Sequence, residues 1–184
     1  MTRQTETALR PGLSVESPAL APILKVNRAY NVTDIVDPAT RSRMMAGIQG
    51  RHTQPELAVR RYLHGCGLRF RLHRRDLPGT PDLALPRYRC AVFVHGCFWH
   101  RHAGCFYSTS PATRKRFWRD KLDSNVLRDR RQLARLNEQG WRVVIIWECG
   151  LKHSFEYLYE VLALIEAGAD IEEWPAEPPR IRPA

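Results

Sequence analysis

Asp82-Leu83-Ala84-Leu85-Pro86-Arg87-Tyr88-Arg89-Cys90-Ala91-Val92-Phe93-Val94-His95 is the stretch whose reading decides the fold. Two short apolar runs flank Pro-Arg-Tyr-Arg, a connection of hairpin length. A turn centred near residues 87 and 88 places Asp82 opposite about Phe93 to His95, because antiparallel pairing counts outward from the turn. A carboxylate at the start of one strand and an imidazole at the end of its partner then meet at one edge of a sheet. Carboxylate oxygens hold hard cations such as Mg²⁺, and imidazole moves protons near neutral pH.

Working outward, Trp141-Arg142-Val143-Val144-Ile145-Ile146-Trp147 is a further strand, apolar on both faces over most of its length. Such a strand is covered by helices on both sides. Thr53-Gln54-Pro55-Glu56 is a capping box that opens a helix closed by Gly65 and Gly67. Another helix is expected over Asp37 to Ile48, and a long one from about Ala112 to Gln139, closed by Gly140. The apolar stripe of the long helix runs Trp118, Leu122, Val126, Leu133, Leu136, and Asp129 lies on it. Ser154 is placed to cap a last helix through Leu158, Leu162 and Ile165. The sum is an α/β fold, a central mixed β-sheet flanked by helices. Residues 1–36 have no sustained period and are broken by Pro11, Pro18 and Pro22, so they read as a flexible arm. The core is 37–168, and 169–184 reads as a Pro-rich tail with Pro175, Pro178, Pro179 and Pro183.

Of the 184 residues 29 are basic and 19 acidic, giving a net charge of +10. Only Lys25, Lys115, Lys121 and Lys152 are lysine, so the excess is arginine, whose planar fork matches phosphate oxygens. That balance points to nucleic acid as the partner. An odd cysteine count (Cys66, Cys90, Cys97, Cys105, Cys149) without a secretory signal argues for a reducing cytosol and against a disulfide framework. No stretch approaches the roughly 18 apolar residues of a membrane span.

The chemistry concentrates just past the hairpin, in His95-Gly96-Cys97-Phe98-Trp99-His100-Arg101-His102-Ala103-Gly104-Cys105. Asp82 with His95 and His100 supplies what phosphodiester hydrolysis needs, a metal carboxylate and imidazoles to move a proton. Asp129, an acid on an apolar stripe, needs a partner, and two readings stand: it orients a catalytic histidine, or it pairs with a neighbouring arginine. Cys97, His102, Cys105 and Cys149 have the types for one closed, structural zinc site, whereas Cys66 and Cys90 read as small buried hydrophobes. Phe98 and Trp99, on a loop pinned at both sides, are placed to enter a base step.

Several ordered motifs over about residues 37–151 resemble the very short patch repair mismatch endonucleases of bacteria. They are Ala39-Thr40-Arg41-Ser42, Leu77-Pro78-Gly79-Thr80-Pro81-Asp82, Tyr88-Arg89-Cys90, His95-Gly96-Cys97-Phe98-Trp99-His100, Pro111-Ala112-Thr113-Arg114, Asn125-Val126 with Arg128-Asp129-Arg130-Arg131, and Gly140-Trp141-Arg142-Val143 with Trp147-Glu148-Cys149. The resemblance implies a restriction-endonuclease-like fold with a structural zinc site. It also implies an Mg²⁺-dependent nick just 5′ of the T in a T:G mismatch, the lesion left when 5-methylcytosine deaminates. By the same resemblance Asp82 is the Mg²⁺ ligand, joined by the backbone carbonyl of Val94 where related restriction enzymes carry an acid-x-Lys pair. That position is often Thr in the family, and Val94 keeps the carbonyl without the hydroxyl. His95 and His100 are the catalytic imidazoles, with Asp129 supporting His95. Cys97, His102, Cys105 and Cys149 are the Zn²⁺ ligands, and Phe98, Trp99 and Met45 the DNA wedge. Glu56 matches an acidic residue near the site, although its capping box already explains it. The implied setting is a monomer on double-stranded DNA in the bacterial cytoplasm, nucleoid-associated when bound, with contact to mismatch-repair proteins.

Two other readings fit the same residues. One is a restriction- or homing-type nuclease of this fold without mismatch preference. The other is a non-catalytic, zinc-stabilised DNA-binding module.

Overall fold

The computed structural model of the chain describes residues 50–182 except 168, together with Asp37, Thr40 and Arg43. The arm 1–36, most of the expected helix Asp37 to Ile48, and Met45 with it, lie outside the described residues. Within that segment the Thr40 N–H donates to Asp37 Oδ1 at 3.0 Å, the bond of an N-cap.

The hairpin forms in the register expected from its turn. Strand β2 (Leu83–Leu85) pairs antiparallel with β3 (Cys90–His95), Leu83 opposite Val92 and Leu85 opposite Cys90. The connection is a 3₁₀ turn, Pro86–Tyr88, closed by Arg89 in the left-handed region at φ 45°. Counting on by one residue places Asp82 across from Phe93. Among the described residues the sheet has five strands in the order β1-β2-β3-β4-β5. Strand β1 (Arg71–Leu72) adds antiparallel to β2. Strand β4 (Arg142–Trp147) runs parallel to β3 after a long helical crossover, and β5 (Ile171–Trp174) runs parallel to β4.

Alternation along the strands divides the core into two layers. Leu83, Leu85, Val92, Val144 and Ile146 pack with Val59 and Leu63 of helix α1 (Gln54–Gly65) and with Val161 and Ile165. Ala84, Ala91, Phe93, Val143 and Ile145 pack on the other face, with Leu136 of helix α2 (Lys115–Glu138) and with Cys97, Cys105 and Cys149. Residues 91, 93 and 95 of β3 share one face, so parity alone sends His95 toward the α2 layer. Both faces are covered, as the apolar β4 required.

Helix α1 starts as a modified capping box. Thr53 Oγ1 accepts the Glu56 N–H at 3.4 Å, but Glu56 reaches back to the Thr53 hydroxyl (3.0 Å) and the His52 N–H (2.8 Å) rather than to the Thr53 amide. Helix α2 begins at Lys115, three residues later than expected, because Arg114 sits in the left-handed region at φ 50° and ends the preceding turn. Gly140, at φ 72°, closes the crossover, and the Arg89 guanidinium bonds the carbonyls of Gln139 and Gly140 at 2.7 and 3.0 Å.

Two expectations change near the C-terminus. Ser154 makes no side-chain cap; its carbonyl instead accepts the Tyr157 N–H at 2.9 Å in a 3₁₀ turn. Helix α3 (Glu148–His153) precedes that turn, and α4 (Glu160–Ala167) follows it. The stretch from 169, read as a Pro-rich tail, carries β5 and buries Trp174 to 2% exposure. Its prolines start at Pro175, just after the strand, so they end the pairing rather than prevent it. The packing there is tight: a Cβ on Gly150 of α3 would lie 2.4 Å from Pro175 and 2.7 Å from the Trp174 ring.

Candidate active site

Sheet register delivers Asp82 to the end of β3. Its Oδ2 accepts the Val94 N–H at 2.8 Å, so a side chain takes up the ladder position just beyond the last paired residue. Burial pushes the Asp82 carboxyl up to about 6, with the nearby Glu56 charge adding to the rise and the Val94 N–H opposing it. A buried carboxylate with a second acid close by is a site that a hard cation would relieve, and this is how Mg²⁺ fits here. Glu56, Asp82, Val94, His95, His100 and Asp129 line one cavity of about 660 Å³.

His95 is 7% exposed and stacks on His100, ring centroids 3.7 Å apart and planes 6° from parallel. Burial, and then the neighbouring His100, hold the His95 imidazole down at about 3, so it is neutral at physiological pH. His100 reaches Asp129 of α2, with Nδ1 to Oδ2 2.6 Å. Asp129 therefore supports His100, not His95 as the resemblance implied. His95 already lies in the layer between Phe93 and Trp147, and its neighbour His100, five residues on, faces α2. Burial raises the Asp129 carboxyl, but the His100 hydrogen bond and charge outweigh it and leave the group below its ordinary value. An ionised Asp129 only accepts, so the His100 Nδ1 that faces it carries a proton, and Nε2 is the ring nitrogen left for other partners. The arginine alternative is also realised at the other oxygen, where Arg128 Nη2 donates to Asp129 Oδ1 at 3.1 Å.

Ten residues of loop then wrap a second centre. Cys97, His102, Cys105 and Cys149 are all buried, and their ligand atoms lie within 4.8 Å of one another. His102 Nδ1 is 3.7 Å from Cys97 Sγ and 3.3 Å from Cys149 Sγ. A tetrahedral zinc with ordinary Zn–S and Zn–N bonds sets such pairs about 3.5–3.8 Å apart, so the donor set fits, and small side-chain shifts would bring the four atoms to that spacing. The Cys149 thiol and burial push the Cys97 thiol well up, so as thiols these groups crowd one another, and a divalent cation would convert them to thiolates. The His102 ring stacks on Trp147, 4.0 Å between centroids and 4° between planes, which sets its orientation.

The same loop carries Phe98 and Trp99, both half-buried, their rings 5.0 Å apart, with Trp99 on the cavity lining. Trp118 of α2 lies 5.7 Å from Phe98 and 6.2 Å from Trp99 and completes an aromatic group that its place on the helix stripe had concealed. A Cβ on Gly96 would come 3.3 Å from Trp99, so the glycine lets the loop fold its indole back. The sequence reading gave no role to Asn125, which is buried and donates to the Trp99 carbonyl at 3.1 Å, or to Lys121, Arg128 and Glu148, which line the cavity. Asn125 lies one turn before Asp129, and that spacing was the available signal. Met45 lies outside the described residues.

Residues 33–106 match the family profile described as DNA mismatch endonuclease Vsr. The DNA mismatch endonuclease Vsr of Escherichia coli is 45% identical over 143 residues, which cover 78% of this chain and 88% of that protein. The type II nicking enzyme V.XorIIP of Xanthomonas oryzae pv. oryzae is 48% identical over 120 residues, 65% of this chain and 88% of the relative. V.NmeAIP of Neisseria meningitidis, also a type II nicking enzyme, is 37% identical over 123 residues, covering 67% and 87%. With the site's geometry beside these likenesses, the chain belongs to the Vsr family of DNA mismatch endonucleases.

Proposed function

We propose that this DNA mismatch endonuclease nicks one strand of duplex DNA 5′ of the T in a T:G mismatch, with Mg²⁺ at the catalytic site and Zn²⁺ at the cysteine–histidine cluster. The observation that carries the reading is the convergence of Asp82 with the stacked His95–His100 pair in one cavity beside the Phe98–Trp99–Trp118 group. Asp82 and the Val94 carbonyl are the residues to hold Mg²⁺, which when bound supplies positive charge for the phosphoryl and leaving oxygens. His100 takes the proton of the attacking water on Nε2, while its Nδ1–H stays with Asp129. His95, held neutral, sets no like charge against the imidazolium that forms on His100. The leaving oxygen is the 3′-oxygen, so the products are a 3′-hydroxyl and a 5′-phosphate, ends from which a polymerase can begin repair.

Cys97, His102, Cys105 and Cys149 hold the aromatic loop through zinc, so that Phe98 and Trp99 enter the stack as a rigid wedge. The exposed arginines and lysines of α2, among them Arg116, Arg119, Arg130 and Arg131, meet the phosphate backbone. The enzyme works as a cytoplasmic monomer on nucleoid DNA. The test is nicking of end-labelled T:G and matched C:G duplexes, with Mg²⁺ and with chelator. Cleavage of the T strand alone, dependent on Mg²⁺, is expected. Equal cutting of matched DNA would support a plain nuclease, and mismatch binding without any nick a DNA-binding module.

A further inference from the structure

Behind the cavity wall lies a charged cluster that the mechanism above does not use. Arg60 of α1 is 7% exposed. Its Nη2 donates to Glu56 Oε2 at 2.7 Å, one helical turn back. Its Nη1 lies 2.7 Å from His52 Nδ1, and Nη2 also lies 3.0 Å from His73 Nε2. The two imidazoles meet edge to face with centroids 5.1 Å apart. Glu56 is itself 4% exposed and closes the ring by accepting the His52 N–H at 2.8 Å.

Arginine carries donors only and does not lose its proton in a protein. Both ring nitrogens that face it must therefore present lone pairs. Protonating either would turn an N–H toward the guanidinium and set a second cation about 3 Å from it. The groups facing His73 are Arg60 and Glu56 from α1 and His52 and Arg51 from the preceding loop. Burial, then Arg60, lower its affinity for a proton. His52 and His73 both hold left-handed backbone, at φ 56° and 46°, a conformation that costs a non-glycine residue about 1 kcal/mol or more. Two strained histidines on separate loops, both aimed at one buried guanidinium, are hard to explain by packing alone.

We infer that Arg60 is a positioning residue: clamped by the ring nitrogens of His52 and His73, its guanidinium fixes the Glu56 carboxylate on the wall of the cavity that also holds Asp82. The role rests on the nickase reading of that cavity. Glu56 cannot swing into solvent or toward Asp82 while three donors hold it. Without Arg60 its Oε2 would keep only the His52 N–H and lose the one cationic donor that faces it, and the carboxylate would reorient. The effect is felt in the chemical step and leaves DNA affinity alone, since Arg60 is buried behind the wall.

Two measurements test this on the full chain. Long-range ¹H–¹⁵N spectra of ¹⁵N-histidine-labelled protein at pH 7 should find Nδ1 of His52 and Nε2 of His73 without protons. A proton on either nitrogen overturns the inference, whatever the enzyme's activity. Nicking of the T:G duplex by Arg60→Met should then show kcat lowered about tenfold to a hundredfold with KM within about twofold. In a Glu56→Gln background the same substitution should have little further effect, because Arg60 acts through that carboxylate. Full additivity of the two, or a wild-type kcat in Arg60→Met, overturns the inference. A wild-type protein that nicks no mismatched duplex refutes the nickase reading instead and leaves the ring-nitrogen result as the test of the clamp.

Discussion

Asp82 is a carboxylate held where ionisation is unfavourable. Its folded value of about 6 lies above the ordinary 3.8, with burial the main cause. The native state thus binds this proton more tightly than the unfolded chain does. Below the unfolded value both states are protonated and nothing is lost; as pH rises through about 6 the folded carboxylate ionises against burial and stability falls. Asp82→Asn keeps an oxygen for the Val94 N–H and removes the charge. Urea melts of metal-free protein should therefore find the variant more stable than the wild type at pH 8, by on the order of 1–3 kcal/mol. The gain should vanish near pH 4, and Mg²⁺ should stabilise only the wild type. A gain that does not vary with pH would contradict the account. At this scale residue types were legible and their partners were not. Asp129 announced itself as an acid on an apolar stripe, but its choice of His100 over His95 depends on side-chain directions set by two elements 29 residues apart. The Arg60 cluster gave no pattern at all, since His52 and His73 are loop residues with no period.

Among the elements, the loop after β3 and the chain's end depend on each other. Cys105 bridges to Ile181, the Phe106 N–H donates to the Arg180 carbonyl at 2.9 Å, and the Arg182 N–H donates to the Gly104 carbonyl at 2.9 Å. The Arg180 guanidinium lies 3.6 Å over the Phe106 ring, and Arg182 Nη1 donates to the Ser108 carbonyl at 3.2 Å. These contacts strap the cysteine–histidine loop from outside. Truncation after Pro179 removes them without touching a ligand or the sheet. Zinc release to a chromogenic chelator should then quicken about tenfold, equivalent to about 1.4 kcal/mol for the lost bonds. An unchanged release rate would show the strap to be idle. The helices and the hairpin were readable from capping, glycine and turn signals. Strand β5 was not, because four residues cannot establish a period against a proline-rich surrounding, and its place is granted by the open edge of β4.

For the whole molecule, charge and topology act together. The net charge of +10 is carried largely by arginine, and the crossover helix α2 exposes Lys115, Arg116, Arg119, Lys121, Arg128, Arg130, Arg131 and Arg135, of which Lys121 and Arg128 line the cavity. If about six phosphates are engaged, the logarithm of the DNA association constant should fall with the logarithm of salt at a slope of about −5. A slope shallower than about −2 in fluorescence anisotropy titrations would remove α2 as the main DNA-facing surface. No helix among the described residues is long and apolar enough to cross a membrane. By itself the sequence determined the hairpin register, the covered central strand, the residue types of the cysteine–histidine cluster and the chain's basic, arginine-rich character. Each of these follows from local rules of period, turn length and side-chain chemistry. Only the tertiary structure decided which histidine Asp129 bonds, that Trp118 joins Phe98 and Trp99, that residues 171–174 complete the sheet, and that Arg60 lies against Glu56, His52 and His73. Those outcomes depend on contacts between residues far apart in the chain, whose directions no local pattern encodes.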